Sequence, residues 1–184
     1  MTNNLQTSQI QKFFDFYVNE IRPLIEKICT QEMYGYHGLK THTDAVVFRG
    51  IDYSLSLAQD PMPVLFACAF HDMARTNDDF DLEHGANAVP MAQKIMTKFP
   101  KILDEKLIQS IIYAITNHTI GNSAPDYVSA CLWDADRTRL SWQYGFDEKF
   151  YNTERGKYVA SENSEEYIDF QKKCIENHMW DSTY

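Results

Sequence analysis

Pro63-Val-Leu-Phe-Ala-Cys-Ala-Phe-His71-Asp72-Met-Ala-Arg75 is an almost wholly apolar run, suited to a buried helix, that ends directly in an imidazole and a carboxylate. A buried carboxylate without a partner is costly enough that proteins avoid it, shift its pKa or give it a cation. The imidazole beside it supplies a neutral nitrogen ligand next to that oxygen. Neighbouring side chains on a helix diverge by about 100°, so the pair cannot point in parallel but can grip one ion from two sides. Alone, the doublet fits equally well a closing helical turn in which Asp72 caps and His71 packs. The other histidines and aspartates discriminate.

Outward from this run, helical periodicity dominates the chain. Upstream, Pro61-Met-Pro63 ends a connection and opens the helix, with Pro63 in its first turn. Before it, Thr41 is placed to cap a helix reaching about Ala58, with Ala45, Val46, Phe48 and Ile51 starting its apolar face. Between Ser8 and Thr30, Phe14, Tyr17, Ile21, Leu24, Ile25 and Ile28 recur at three- and four-residue intervals, with a kink or break expected at Pro23. A loop with Gly35 and Gly38 joins the two.

Downstream, the polar, acidic segment Thr76–Glu83 leads to a helix from about His84 to Phe99, stopped by Pro100. Asp104 to His118 is another, with Leu107, Ile108, Ile111, Ile112 and Ile115 on one face. After the loop Gly121–Pro125, Asp126 leads a helix whose apolar body again ends in acid, at Asp134-Ala-Asp136-Arg137. Trp142–Phe146 reads as an aromatic turn and Ser164–His178 as a last helix. No segment alternates like a strand. The expected fold is all-α: one helical-bundle domain over 1–184, with an N-terminal helix in 1–35, a core at about 36–140 and a helical extension over 141–184.

Composition bounds the function. The net charge of −9 argues against general binding to nucleic-acid backbone. The four cysteines, Cys29, Cys68, Cys131 and Cys174, lie far apart without a C-x-x-C pair, as expected of reduced thiols. The first residues lack a basic segment followed by an apolar one, and no apolar run reaches the roughly 18 residues of a membrane span. A soluble cytoplasmic protein is expected.

The metal-capable side chains form an ordered set. His42 lies in the first turn of one helix, His71-Asp72 close the next, His84 opens another, His118 closes another, and Asp136 closes the helix that Asp126 leads. Five elements thus each place a ligand at a helix end, where side chains can converge. Imidazole with carboxylate suits zinc, iron, manganese or cobalt better than an all-oxygen set would. Asp134 competes with Asp136, because two positions apart on a helix means faces about 200° apart and only one of them aims inward. His37 and His178 read as surface or packing residues.

This order, H…HD…H…H…D, resembles the HD superfamily of metal-dependent phosphohydrolases over roughly Tyr36 to Leu140. His42 matches the first histidine, His71-Asp72 the doublet and Asp136, directly before Arg137, the last aspartate. His84 and His118 match the further histidines of members that hold two metals; in a one-metal site both imidazoles would contact substrate instead. The phrase from His71 to Gly85 is similar to small stand-alone bacterial HD proteins. The family's Arg-Leu-Asp after the last ligand is here Arg137-Thr138-Arg139, which removes one acidic group and unsettles any substrate carried over.

The resemblance implies one or two divalent ions (Mn, Fe, Co, Ni, Zn or Mg) and hydrolysis of a phosphate ester of a nucleotide or other small metabolite. A metal lowers the pKa of its bound water towards about 7, giving hydroxide at neutral pH. Asp72 is the expected catalytic carboxylate, bridging the ions or orienting the water. Arg75, one turn from His71, is the expected phosphate clamp, with Arg137 and Lys40 as alternatives. Arg75 could instead pair with the acidic loop Asp78–Asp81. Tyr34, Tyr36, Trp133, Trp142 and Tyr144 could stack on a base or serve as core. Two other activities fit the residues: a mixed-valent di-iron oxygenase, and a regulatory protein keeping the metal as structure. The implied partner is a phosphorylated small molecule, with no membrane and no nucleic acid; oligomeric state is not encoded legibly.

Overall fold

The computed structural model describes residues 4–29, 38–76 and 79–162, and all regular structure among them is helical. Helix α1 (Asn4–Phe16) passes through a π-helical turn, Tyr17–Ile21, into α2 (Arg22–Ile28). Pro23 causes this. Its ring would meet the carbonyl of Asn19, four residues back, and that carbonyl lies inside the widened turn. The expected break is therefore a bulge one turn earlier, with Pro23 left in the tolerant first turn of α2.

A second π turn, Leu39–Thr43, leads into α3 (Asp44–Ser56), so Thr41 lies within a helical turn rather than capping one. Asp44 fastens the two π turns together. Its carboxylate accepts from the Tyr17 hydroxyl and from the Arg22 guanidinium, each at 2.8 Å, with Asp44 fully buried. A charged group so placed is tolerable only because both oxygens are bonded.

Helix α4 (Pro61–Phe70) starts two residues before the expected Pro63, because Asp60 accepts from the Met62 amide and both prolines fit the first turn. From Val64 to Phe70 no residue is more than 1% exposed, so α4 is the central rod. Gly50 lets α3 lie against it: a methyl at that position would stand 2.5 Å from the Cys68 sulfur.

Helices α5 (His84–Met96) and α6 (Glu105–Asn117) follow; α5 ends short of Phe99, and Asp104 caps α6 at the Leu107 amide. Helix α7 (Tyr127–Tyr144), capped by Asp126 at Ser129, runs through the expected aromatic turn and ends at Gly145, whose φ of +94° is one that glycine accepts. A short α8 (Glu154–Glu162), absent from the sequence reading, packs on α7. The expected last helix, Ser164–His178, lies outside the described residues, as do His37, Tyr34, Tyr36, Cys174 and the side chains of Trp142 and Tyr144.

Side chains from α1 to α8 fill one apolar core, in which Phe14, Phe48, Phe66, Phe70 and Trp133 are each 1% exposed or less. Full burial of each such residue is worth about 1.5–3 kcal/mol. Around α7 each successive residue meets a different neighbour. Trp133 donates its indole N–H to the Ala114 carbonyl of α6, and the Ala135 carbonyl accepts from Arg49 of α3. Trp133 is therefore core and not a base-stacking surface.

Candidate metal centre

Three of the four central histidines share one local device. His71 Nδ1 lies 2.7 Å from the Cys68 carbonyl, His84 Nδ1 2.5 Å from the Asp81 carbonyl and His118 Nδ1 2.7 Å from the Ile115 carbonyl. Each partner is three residues upstream. His71 and His118 terminate α4 and α6, where the last carbonyls have no intrahelical donor and are free to accept. The network assigns the proton to Nδ1 and leaves the Nε2 lone pair aimed inward, as in metal-ligating histidines.

The Nε2 atoms then meet. His84 and His118 bring theirs to 2.7 Å of each other, and His42 and His71 to 3.1 Å. Between neutral rings protonated on Nδ1 no hydrogen is available to bridge His84 and His118. Two lone pairs facing each other in a buried site demand a proton or a cation between them.

Asp72 supplies the negative charge and divides it. Its Oδ2 lies 3.3 Å from His71 Nε2 and 3.5 Å from His42 Nε2; its Oδ1 lies 3.0 Å from His84 Nε2 and 3.7 Å from His118 Nε2. Two groups of buried donors result, His42–His71–Asp72 and Asp72–His84–His118, each able to hold a metal ion. Asp136 flanks the first, its Oδ1 3.1 Å from His42 Nε2 and 3.8 Å from His71 Nε2. All six sequence-predicted ligands are thus brought together. Asp136 is the most open of them, its side chain 22% exposed against 5% or less for the others, so solvent reaches the site on that side.

Electrostatics agree with a cation site. Burial alone would lower the pKa of His71, but the Asp72 and Asp136 carboxylates outweigh it and hold the imidazolium up to about 9. Burial works against the charged form of Asp72 too, yet the surrounding imidazoles, His71 foremost, hold it well below the usual carboxylate range. For His42, burial prevails over the pull of Asp136 and lowers its pKa, favouring the neutral, ligating ring.

Asp134 faces the other way. It accepts from the Asn152 and Thr153 amides and the Asn152 side chain, at 2.6 to 3.2 Å, at the segment that opens α8. Of the two aspartates, Asp136 lies towards the histidines and Asp134 towards the segment before α8. Gly85, which sequence reasoning passed over, lets α5 reach α6: a Cβ there would collide with the Ile115 carbonyl and stand 3.0 Å from His118 Nδ1.

The candidate phosphate clamps separate. Arg75 donates from Nε to Asp72 Oδ1 at 3.1 Å and from Nη1 to the Asp79 carbonyl at 3.1 Å, so it touches both the bridging carboxylate and the acidic loop. Arg137 is not a free clamp: its guanidinium donates to the carbonyls of Phe150, His118 and Gly121 and lies over the Trp133 ring. Lys40 is exposed and lies 3.8 Å from Glu26.

Fold and site together define an all-α domain organised around two histidine clusters that share one aspartate. No protein-family model matches the chain, and no curated protein does. Among solved structures it is similar to a predicted HD superfamily hydrolase from an uncultured Thermotogales bacterium, known from a 1.45 Å crystal structure, at 17% identity and a TM-score of 0.63, with 88% of this chain and 93% of that chain covered. The chain has the helical fold of that HD protein. Among the described residues no helix is long and apolar enough to cross a membrane.

Proposed function

We propose that this protein is a metal-dependent phosphohydrolase of the HD superfamily, cleaving a phosphate ester of a small metabolite. The observation that carries the reading is the split of Asp72, one oxygen towards His42 and His71 and the other towards His84 and His118. Such a site fits two divalent ions sharing one carboxylate, His42, His71 and Asp136 completing one and His84 with His118 the other. When bound, the ions supply a hydroxide at neutral pH and residual positive charge for a phosphate oxygen. The chain supplies the rest. Asp72 would hold the two halves in register, and Arg75, which donates to its Oδ1, would be the positioning cation beside that carboxylate. Water's oxygen adds to phosphorus, the ester P–O bond breaks, and a proton from water ends on the released alcohol. Three described cysteines, all free thiols, are in keeping with a reducing cytoplasm.

The test is elemental analysis of gently purified protein, followed by a phosphate-ester panel with each of Mn, Fe, Co, Ni, Zn and Mg, run with and without oxygen. Phosphate release with redox-inert zinc or magnesium under anaerobic conditions is the expected result. Oxygen consumption tied to an iron-dependent spectrum, with no ester cleaved by any metal form, would overturn it in favour of a di-iron oxygenase. So would folded protein without bound metal and without a thermal shift on adding any of these ions.

A further inference from the structure

The N-terminal helices lie outside the stretch that carries the six candidate ligands, yet they grip the turn that bears one of them. His42 sits in the π turn Leu39–Thr43, and Asp44 opens α3 directly after it. Asp44 is fully buried, and the N-terminal segment bonds both of its oxygens: the Tyr17 hydroxyl donates to Oδ1 and Arg22 Nη1 to Oδ2, each at 2.8 Å. Tyr17 is itself fully buried, its ring 5.6 Å from that of Phe14, which in turn meets Phe48 of α3 edge-on. His71, His84 and His118 are each aimed by a carbonyl three residues upstream. For His42 the hold comes from another part of the chain, through an ion pair two residues along.

That placement matters because a metal–ligand bond tolerates displacements of only about 0.2 Å. Slack in the backbone at Asp44 would pass directly to His42 and only indirectly to ligands on other elements. Helix α3 also provides its own comparison. Asp52, fully buried as well, accepts from Arg155 Nε at 2.9 Å and from the Gln6 amide at 2.8 Å. It lies eight residues, or about 12 Å, further along the helix and adjoins no ligand in the sequence. Removing the arginine from either pair takes the cation from a buried carboxylate and destabilises the fold. Only the Asp44 pair stands beside the metal centre.

We propose that Tyr17 and Arg22 are positioning residues of the metal centre, acting through Asp44 to hold His42 in place for an ion shared with His71 and Asp136. The proposal rests on the metal-binding part of the hydrolase reading and not on turnover. Its test titrates zinc into the full chain, wild type against Arg22→Met, Arg22→Lys, Tyr17→Phe and Arg155→Met, well below the melting temperature of each. Ring-nitrogen NMR of His42 and His84 reads the two halves separately. Arg22→Met should weaken the His42 response about 10- to 100-fold, the range of changes next to a ligand, and the His84 response less. Arg22→Lys should restore part of it. Tyr17→Phe removes one hydroxyl and keeps the packed ring, so it should act in the same direction and serves where Arg22→Met does not fold. Arg155→Met should lower the melting temperature in chelator as Arg22→Met does, with zinc binding at His42 unchanged. Equal weakening at His42 and His84, or the same loss in Arg155→Met, would overturn the proposal in favour of a purely structural ion pair. So would wild-type zinc affinity at His42 in both Arg22→Met and Tyr17→Phe, even in a protein that cleaves esters. Zinc binding at His42 that depends on Arg22, with no ester cleaved by any metal form, would leave the proposal standing and overturn the hydrolase alone.

Discussion

Asp134 and Asp136 lie two positions apart on α7, and neutralising each should produce opposite phenotypes. In Asp134→Asn the amide cannot satisfy every donor it faces: Oδ1 takes the Asn152 amide at 2.8 Å, and Oδ2 takes the Thr153 amide at 2.6 Å. Whichever way the new side chain turns, an NH₂ opposes a backbone N–H. Hydrogen bonds to charged groups are worth about 1.5–3 kcal/mol, and a stranded buried donor costs about 1–3 kcal/mol. A loss of roughly 2–4 kcal/mol follows. In a chain of 184 residues each 1 kcal/mol moves Tm by about 2–4 °C, so Tm should fall by roughly 5–15 °C with metal content unchanged.

Asp136→Asn should do the reverse. It removes an anion 3.1 Å from His42 Nε2, and losing a direct ligand should weaken metal binding at least as much as the roughly 10–100-fold of outer-shell changes. At a free metal concentration of about 100 Kd, linkage stabilises the wild type by about 2.7 kcal/mol. A hundredfold weaker variant at the same concentration keeps about 0.4 kcal/mol. Melting with and without chelator, alongside metal content after dialysis, reads both effects. If Asp134→Asn sheds metal as Asp136→Asn does, or leaves Tm in chelator untouched, the assignment of the two faces of α7 is wrong.

Gly85→Ala should force α5 away from the Ile115 carbonyl and from His118, costing about 1–3 kcal/mol as overpacking does and lowering metal content at the His84–His118 half first; two metals retained at full stability would refute it. Arg75→Ala should keep metal but reduce kcat on a phosphate ester about 100-fold, with Arg75→Lys only partly restoring it, because a point charge cannot serve both Asp72 and the Asp79 carbonyl. For pH, His71 titrates at about 9 in the metal-free fold against its ordinary 6.5. A raised folded-state pKa contributes stability that is present below pH 6.5 and lost as pH rises through 9, of order 3 kcal/mol. Melting in chelator should therefore fall across that window, while metal, competing with the same proton, binds up to tenfold more tightly per pH unit; a metal-induced thermal shift that shrinks from pH 6.5 to 8.5 would contradict this.

Much of the site was legible because its residues carry signals of their own. A His-Asp doublet closing an apolar helix, and single histidines near three other helix ends, are visible without coordinates; Asp136, expected to close its helix, lies instead in the middle of α7, which continues to Tyr144. What was not legible depended on distant partners. Helix α8 is short, with Gly156 inside it and only Gly156, Val159 and Ala160 buried, so its apolar pattern is too sparse to register. Its start is held by Asp134 from α7, and the nearest local signal was Thr153, whose hydroxyl accepts from the Gly156 amide. Arg137 looked like a clamp because its charge was read without the three carbonyls that occupy it. Thr138, within the departure from the HD pattern, proves to be a core position, bonded to the Asp134 carbonyl and the buried Tyr53 hydroxyl. The Nδ1 acceptors of the histidines are backbone carbonyls, which no residue type announces.

The site also explains why the chain spreads its ligands so widely. His42, Asp72, His84, His118 and Asp136 come from the turn before α3, the end of α4, the start of α5, the end of α6 and the middle of α7. Without a cation, this junction crowds four buried imidazoles, the buried Asp72 and the partly exposed Asp136 together, with lone pairs opposed at 2.7 Å. A proton on His71 relieves part of that cost, which is why Asp72 holds it there. An ion relieves more, and does so at the one point where five segments meet, closing long loops whose entropy an unfolded chain would otherwise keep. The same contacts that would activate water would therefore tie the helices together, and metal affinity and fold stability would be one linked quantity.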